Sequence, residues 1–466
     1  MQIILLSGGS GKRLWPLSND IRSKQFIKIF KTGEDQYESM AQRVYRQIKT
    51  VDPQAKVTIA TSKSQVSAIN NQLGDGTVGI SVEPCRRDTF PAIALATAYL
   101  HDVMGVQEDE PVVVCPVDPY VNDDYYQALK RLSNLAEKGV ANLTLMGIEP
   151  TYPSEKYGYI IPEKHGDEET IHELDELDNL EPMEALDKLS SPVLKVACFK
   201  EKPSKDVAEK YIRQGAMWNG GVFAYKLGYV LNRAHELLDF TGYQDLFDKY
   251  DTLTKISFDY AVVEHEKDIA VMRFSGQWKD LGTWNTLTEA MTDPTMGKAI
   301  LNDQCENVNV INELNVPILC MGLKDIIVAA SPEGILVSDK EQSSYIKSYV
   351  DGIDQQIMFA EKSWGSYHVL DVHHDSMTIK VTLNAGHQMN YHSHEQRDEV
   401  WTVVSGQGTA VVNDKSQTVK PGDVINLPRG TKHTILADTQ LTLIEVQIGQ
   451  EISVHDKVKE PTKVKC

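Results

Sequence analysis

The chain has 466 residues, 41% of them hydrophobic and 24% charged, with a formal net charge of −19 at pH 7. That length exceeds one ordinary domain and predicts two or three, while the acidic balance excludes nucleic acid and anionic membrane as partners. No run of about 18 apolar residues occurs, and the N-terminus enters a strand with no signal peptide ahead of it, so a cytoplasmic protein is expected.

In chain order, the first element is an apolar strand at Ile3–Leu6, followed by Gly8-Gly9-Ser10-Gly11 and then Lys12 and Arg13. Glycines at three of four positions let backbone N–H groups turn toward a ligand, and such a nest binds phosphate oxygens. Lys24 adds a further cation a short distance on. Spacing excludes two familiar cradles. A P-loop needs Gly and Ser/Thr where Leu6 and Arg13 stand, and a dinucleotide fingerprint needs Gly in place of Leu14. The run from Gly8 to Leu17, with Lys24-Gln25-Phe26 downstream, resembles the signature of sugar-1-phosphate nucleotidylyltransferases. Within that family it is most similar to the mannose-1-phosphate guanylyltransferases.

Further strands are expected at Val57–Ala60, Val112–Cys115 and Leu143–Gly147, with helices at Ala92–Met104 and Tyr125–Lys138. This alternation predicts a doubly wound sheet with ligands at the strand C-termini. Residues 163–190 are rich in Glu and Asp and read as a solvated insertion. Short β runs follow at Val308–Ile311, Ile326–Ala329 and Ile335–Ser338, and from about residue 361 nearly everything reads β. The expected architecture is α/β: a mixed, doubly wound nucleotidyltransferase domain (1–290), a β-helix-like connector (291–355) and a C-terminal all-β cupin barrel (356–466). The six widely spaced cysteines read as small buried hydrophobes.

Nucleotidyl transfer needs neutralised triphosphate charge, a divalent ion and an in-line phosphate nucleophile, so cations and carboxylates are the expected parts. Asp118 ends the strand-like run Val112–Val117, and Asp280 follows Trp278-Lys279. The resemblance implies that these two acids hold Mg²⁺, although Val117-Asp118-Pro119 departs from the family's Ala-Asp-His. Glu83 through Ile93 resembles the base-recognition segment. The Glu83 carboxylate suits guanine N1–H and the N2 amine, Arg86 joins the nucleotide site, and Asp88 replaces the more usual Asn. Pro150–Ile161 resembles the sugar loop, with Gly158 at the point of close approach. Glu201-Lys202-Pro203 and Trp218-Asn219-Gly220-Gly221 resemble the motifs that read sugar hydroxyls and phosphate. Arg13, Lys24, Asp118, Lys202 and Asp280 are the expected catalytic groups.

In the C-terminal third, Gly386-(five)-His392-x-His394-(four)-Glu399-(six)-Gly406 is followed by Gly422-(five)-Pro428-x-Gly430-(two)-His433. Residues two apart on a strand share a face, so His392 and His394 project together, with Glu399 and His433 closing a divalent transition-metal site for Zn²⁺, Co²⁺ or Mn²⁺. The spacing matches the two cupin motifs except that Ala437 replaces the usual Asn. The family's version of this cupin is a phosphomannose isomerase. Here the terminal arginines of the family are missing, and His455, Lys457 and Lys459 stand in that region. Lysine is no substitute for a bidentate arginine fork on phosphate.

The resemblance implies Mg²⁺-dependent GMP transfer from GTP to mannose 1-phosphate, giving GDP-mannose and pyrophosphate for polysaccharide synthesis, with a weak or lost isomerase. The chain is expected to form a homo-oligomer, a dimer. Two alternatives stand: a guanylyltransferase for another manno-configured sugar phosphate such as a heptose, and a sugar-nucleotide sensor without turnover. Retention of both metal acids speaks against the sensor.

Overall fold

A computed structural model describes all residues except 10–11, 20, 35, 164–191, 354–356, 451, 454–455 and 462–466. Ser10, Gly11, His455 and the acidic stretch beyond Glu163 therefore lie outside the described residues. The structure divides into two compact units. One comprises Met1–Gly9, Glu38–Lys63 and Val78–Leu281; the other comprises Ser10–Tyr37, Ser64–Thr77 and Gly282–Cys466.

The first unit is built on a nine-stranded sheet. Its order is Gly79–Glu83, Lys56–Ser62, Gln2–Ser7, Pro111–Pro116, Met217–Lys226, Leu143–Ile148, Ile269–Phe274, Val193–Lys200 and Tyr159–Pro162. The first four strands are parallel. Their central residues, such as Ile3, Ile4, Val112, Val113 and Val114, are fully buried, which is why they read as unbroken apolar runs rather than as alternation. Met217–Lys226 then runs antiparallel to both of its neighbours and makes the sheet mixed.

Helix Thr89–Asp102 is apolar on all sides and buried along nearly its whole length, as expected for a helix inside the core. Asp88 caps it: the side chain accepts from Thr89 N at 2.8 Å while the backbone holds φ +72°. Asp tolerates that left-handed region better than most residues and fits an N-cap, so the exchange of Asn for Asp keeps the local role. Helix Asp123–Lys138 buries one face and stops at Gly139, whose φ of +69° is the usual C-terminal cap.

Register carries the strand ends to one edge. Leu6 pairs with both Ala60 and Pro116, and Ser62 pairs with Glu83. Gly8, Glu83 and Asp118 thus leave the same C-terminal edge of the parallel strands, where ligands of open α/β sheets bind.

The second unit contains short parallel rungs. Thr295–Met296, Asn309–Asn312 and Ile326–Ser331 stack in order, and Ala299–Leu301 pairs with Ile318–Cys320. This is the β-helix-like connector. Trp15 and Arg22 bind to this part of the unit: Arg22 grips Glu313 with two hydrogen bonds of 2.8 Å, and Trp284 Nε1 donates to Trp15 O at 3.1 Å. A Cβ at Gly334 would lie 2.5 Å from the Trp15 ring, so glycine is required there. The C-terminal part forms a six-stranded and a five-stranded sheet, with a core that includes Trp401, Leu383, Ile435 and Leu443. No helix among the described residues is long and apolar enough to cross a membrane.

Candidate functional site

A cavity of about 620 Å³ opens at the strand-end edge of the first unit. Gly8, Gly9, Glu83, Arg86, Asp118 and Asp280 all line it. Gly9 holds φ +124°, where a side chain would strain the backbone, and its carbonyl accepts from Arg86 Nη2 at 3.1 Å. Arg86 therefore ties the glycine turn to the segment that begins at Glu83. Glu83 sits opposite a donor, with Tyr250 Oη giving its proton to Glu83 Oε2 at 2.9 Å. Burial raises the Glu83 carboxyl above its usual range, and the Tyr250 hydrogen bond and Arg86 charge recover part of that cost.

Asp118 and Asp280 are brought together by a small antiparallel ladder. Pro119–Val121 pairs with Trp278–Asp280, so that Asp280 faces Pro119, the residue next to Asp118. Two acids remote in sequence thereby share one wall of the cavity. An oxygen pair of this kind suits Mg²⁺, which takes one or two carboxylates together with phosphate and water.

Two further ladders meet at Tyr159 to assemble the other wall. Trp218 and Lys200 both pair with Tyr159. The next residues, Asn219 and Glu201, therefore flank Gly158, and Asn219 N donates to Gly158 O at 2.8 Å. Three motifs that are separate in sequence become one row. Tyr159 anchors it: its hydroxyl accepts from Trp218 Nε1 and Ser154 N and donates to Ser154 O at 2.9 Å. A Cβ on Gly158 would lie 2.6 Å from both Glu201 Oε2 and Phe199 Cζ. Gly158→Ala is therefore expected to displace Glu201 and to raise KM for the substrate held at this row roughly tenfold to a hundredfold, with KM for a second substrate at the glycine turn unchanged. Steady-state kinetics with each substrate varied in turn checks this.

Lys202 is placed less centrally. Its side chain is exposed and donates to Glu201 Oε1 at 2.6 Å, while the lysines on the cavity wall are Lys156 and Lys255. Lys12, Arg13 and Lys24 belong to the second unit, where Lys12 pairs with Asp351 at 3.1 Å. Sequence reasoning missed Lys255, Tyr250, Trp278 and Asp259. Trp278 and Tyr157 line the cavity with ring centroids 5.5 Å apart, and Trp278 Nε1 is buried without a partner among the described residues. Asp259 opens a π-helical turn, Asp259–Val263, and accepts from Asn219 Nδ2 at 2.7 Å. Nothing in the local pattern around Asp259 marks it; only the fold carries it to Asn219.

The cupin holds a second centre. His392 and His433 face each other across adjacent strands, and ligand nitrogens of His392, His394 and His433 lie within 4.8 Å of one another. Each Nδ1 meets a backbone carbonyl: Asn390 O at 2.6 Å, Asp456 O at 3.1 Å and Thr431 O at 2.8 Å. A carbonyl only accepts, so Nδ1 carries the proton and Nε2 keeps its lone pair, the usual state of a metal-ligating histidine. Burial, helped by the charge of Lys457, pushes His392 down to about 2, which keeps its ring neutral.

Glu399 brings Oε1 to 3.1 Å from His394 Nε2 and Oε2 to 3.3 Å from His433 Nε2, and the latter nitrogen makes no hydrogen bond among the described residues. Acceptors at such separations need a proton or a cation between them, and a divalent ion would suit the donor set. Part of that charge is supplied by buried Arg397, missed in the sequence, whose Nε reaches Glu399 Oε1 at 3.0 Å and Nη2 reaches His394 Nε2 at 3.1 Å. The centre opens on a cavity of about 1200 Å³ that Lys362 and Lys457 also line.

Both parts of the chain have counterparts among known proteins. A nucleotidyl transferase family model matches residues 2–296, and a cupin domain model matches residues 379–447. The putative mannose-1-phosphate guanylyltransferase of Vibrio cholerae is 28% identical over 98% of this chain and 98% of its own. The alginate biosynthesis protein AlgA of Pseudomonas aeruginosa is 27% identical over 97% of this chain and 95% of its own. A solved structure from Thermus thermophilus, described as a mannose-1-phosphate geranyltransferase, is 26% identical with a TM-score of 0.58, covering 75% of this chain and 98% of that one. With the glycine turn, the acid pair and the Gly158–Glu201–Asn219 row lining one cavity, and the family model spanning all three, the chain belongs to the nucleotidyl transferase family.

Proposed function

We propose that the chain transfers GMP from GTP to α-D-mannose 1-phosphate, releasing pyrophosphate and giving GDP-mannose for polysaccharide synthesis. The observation that carries this reading is the meeting, in one cavity, of Glu83 as guanine acceptor, the Asp118–Asp280 pair and the Gly158–Glu201–Asn219 row. Full-length relatives named for mannose-1-phosphate guanylyl transfer support the sugar and the base. Asp118 and Asp280 would hold Mg²⁺, which when bound offsets triphosphate charge. Lys12, Arg13 and Lys24, with Gly8, Gly9, Ser10 and Gly11, are assigned to the triphosphate by resemblance, and Lys202 to the sugar phosphate. The test is pyrophosphate release with GTP and a panel of sugar 1-phosphates, heptose included. Preference for another sugar would overturn the substrate, and no release with any would overturn the activity.

Base choice gives a sharper check. Glu83→Gln removes the carboxylate that suits guanine and leaves donor against donor, a loss of about 1–3 kcal/mol. The expected result is a roughly tenfold to hundredfold fall in kcat/KM for GTP, with the rate for ATP little changed. Equal use of GTP and ATP by the unmodified protein would refute the role. For the cupin, we infer a divalent transition-metal site with weak or absent isomerisation of mannose 6-phosphate.

A further inference from the structure

We propose that Asp259 is a second acceptor for the sugar's hydroxyl groups, working beside Glu201, and that Asn219 serves mainly to aim it. The inference rests on the sugar-phosphate reading above and deepens it. The hydrogen bonds of Asn219 carry the argument. Its Oδ1 accepts from Gly221 N at 3.0 Å, its backbone N donates to Gly158 O, and its Nδ2 donates to Asp259 Oδ1 at 2.7 Å. The side-chain oxygen is thus already held by the backbone through one of its two lone pairs, and one of the two amide protons is committed to Asp259.

Asp259 is the opposite case. It lines the cavity, and among the described residues its carboxyl accepts only from Asn219 and its own backbone amide. A carboxylate offers about four acceptor sites, so most of its capacity is unused. No cation is hydrogen-bonded to it among the described residues: nearby Lys202 gives its ammonium to Glu201. Burial first, and then the charge of Glu201, push the carboxyl up to about 6. A buried acid in a cavity wall, with acceptor sites to spare, is a candidate for binding a ligand. Its place at the head of a π-helical turn is of the same kind, since such turns concentrate at functional sites.

Two carboxylates on one wall repel phosphate and accept from hydroxyls. Glu201 and Asp259 therefore suit the diol side of a hexose and turn its phosphate toward the lysines. Asn219 touches both Asp259 and the Gly158 strand, so it fixes the spacing between the two acceptors.

The test uses the full chain with Mg²⁺ and GTP, comparing mannose 1-phosphate with its 2-, 3- and 4-deoxy analogues. Asp259→Asn is expected to raise KM for mannose 1-phosphate about tenfold or more while KM for GTP stays within about twofold. One deoxy analogue, already poor for the unmodified protein, should lose nothing further in Asp259→Asn, because the hydroxyl that Asp259 reads is absent. Asn219→Ala should show the same analogue pattern, as a positioning residue would. A KM for mannose 1-phosphate within about twofold of normal, or an equal further loss with every analogue, overturns the inference. If Asp259→Asn does not fold, Asp259→Glu is put through the same series, with the same analogue pattern expected and the same results overturning it. Absence of pyrophosphate from the unmodified protein with every sugar overturns the parent reading, and with it this inference, in the control alone.

Discussion

Asp118→Asn and Asp280→Asn are each expected to lower pyrophosphate release by about a hundredfold or more at saturating substrates, the usual cost of losing one electrostatic contact to transition-state charge. The antiparallel ladder that sets Asp280 against Pro119 makes the two acids one unit. Their effects should therefore be far from additive, and the double variant should fall little below the worse single one. GTP binding measured by calorimetry without Mg²⁺ should survive in both, since neither acid reads the base. Near-normal release from either variant at high Mg²⁺ would remove the acid pair from the mechanism.

The second large effect is expected in the cupin, where metal ligands and substrate-holding groups part company. The purified chain should carry about one divalent transition ion, and His392→Ala should lose most of it, read by elemental analysis. Conversion of fructose 6-phosphate should nevertheless lie roughly a hundredfold to ten-thousandfold below that of a working isomerase, the range attributed to a missing acid–base group. Lys457 does line the cavity, and its strand pairs with the His392–His394 strand. An ammonium there still lacks the bidentate geometry of arginine. Turnover at about ten per second or more with Zn²⁺, Co²⁺ or Mn²⁺ would show that Lys362, Lys457 and Arg397 make good the loss.

What could be read from the chain follows from how local each signal is. The buried parallel strands at Ile3–Leu6 and Val112–Cys115 are short apolar runs, and their bounds agree with the structure to within one or two residues. The cupin ligands were legible because a strand's two-residue repeat puts His392 and His394 on one face without help from the rest of the fold. Glu83, Asp118, Gly158, Glu201, Asn219 and Asp280 were found through motif resemblance, and all of them line one cavity. Asp259, Tyr250 and Trp278 were missed for a common reason. Each lies in a segment without clear periodicity and gains its meaning only from a partner far away in sequence. Arg397 was hidden differently: it sits between recognised ligands, and only its burial separates it from an ordinary surface arginine.

The ladders that build the first cavity also decide when it can exist. Tyr250 reaches Glu83 across 167 residues, and Asp118 shares a cavity with Asp280, 162 residues on (280 − 118). Each of these contacts closes a long loop, so neither can form before both of its remote segments are present. A chain still emerging from the ribosome, or one cut short of residue 280, lacks the acid pair altogether. The cavity is therefore complete only when the whole first unit, through Leu281, is in place.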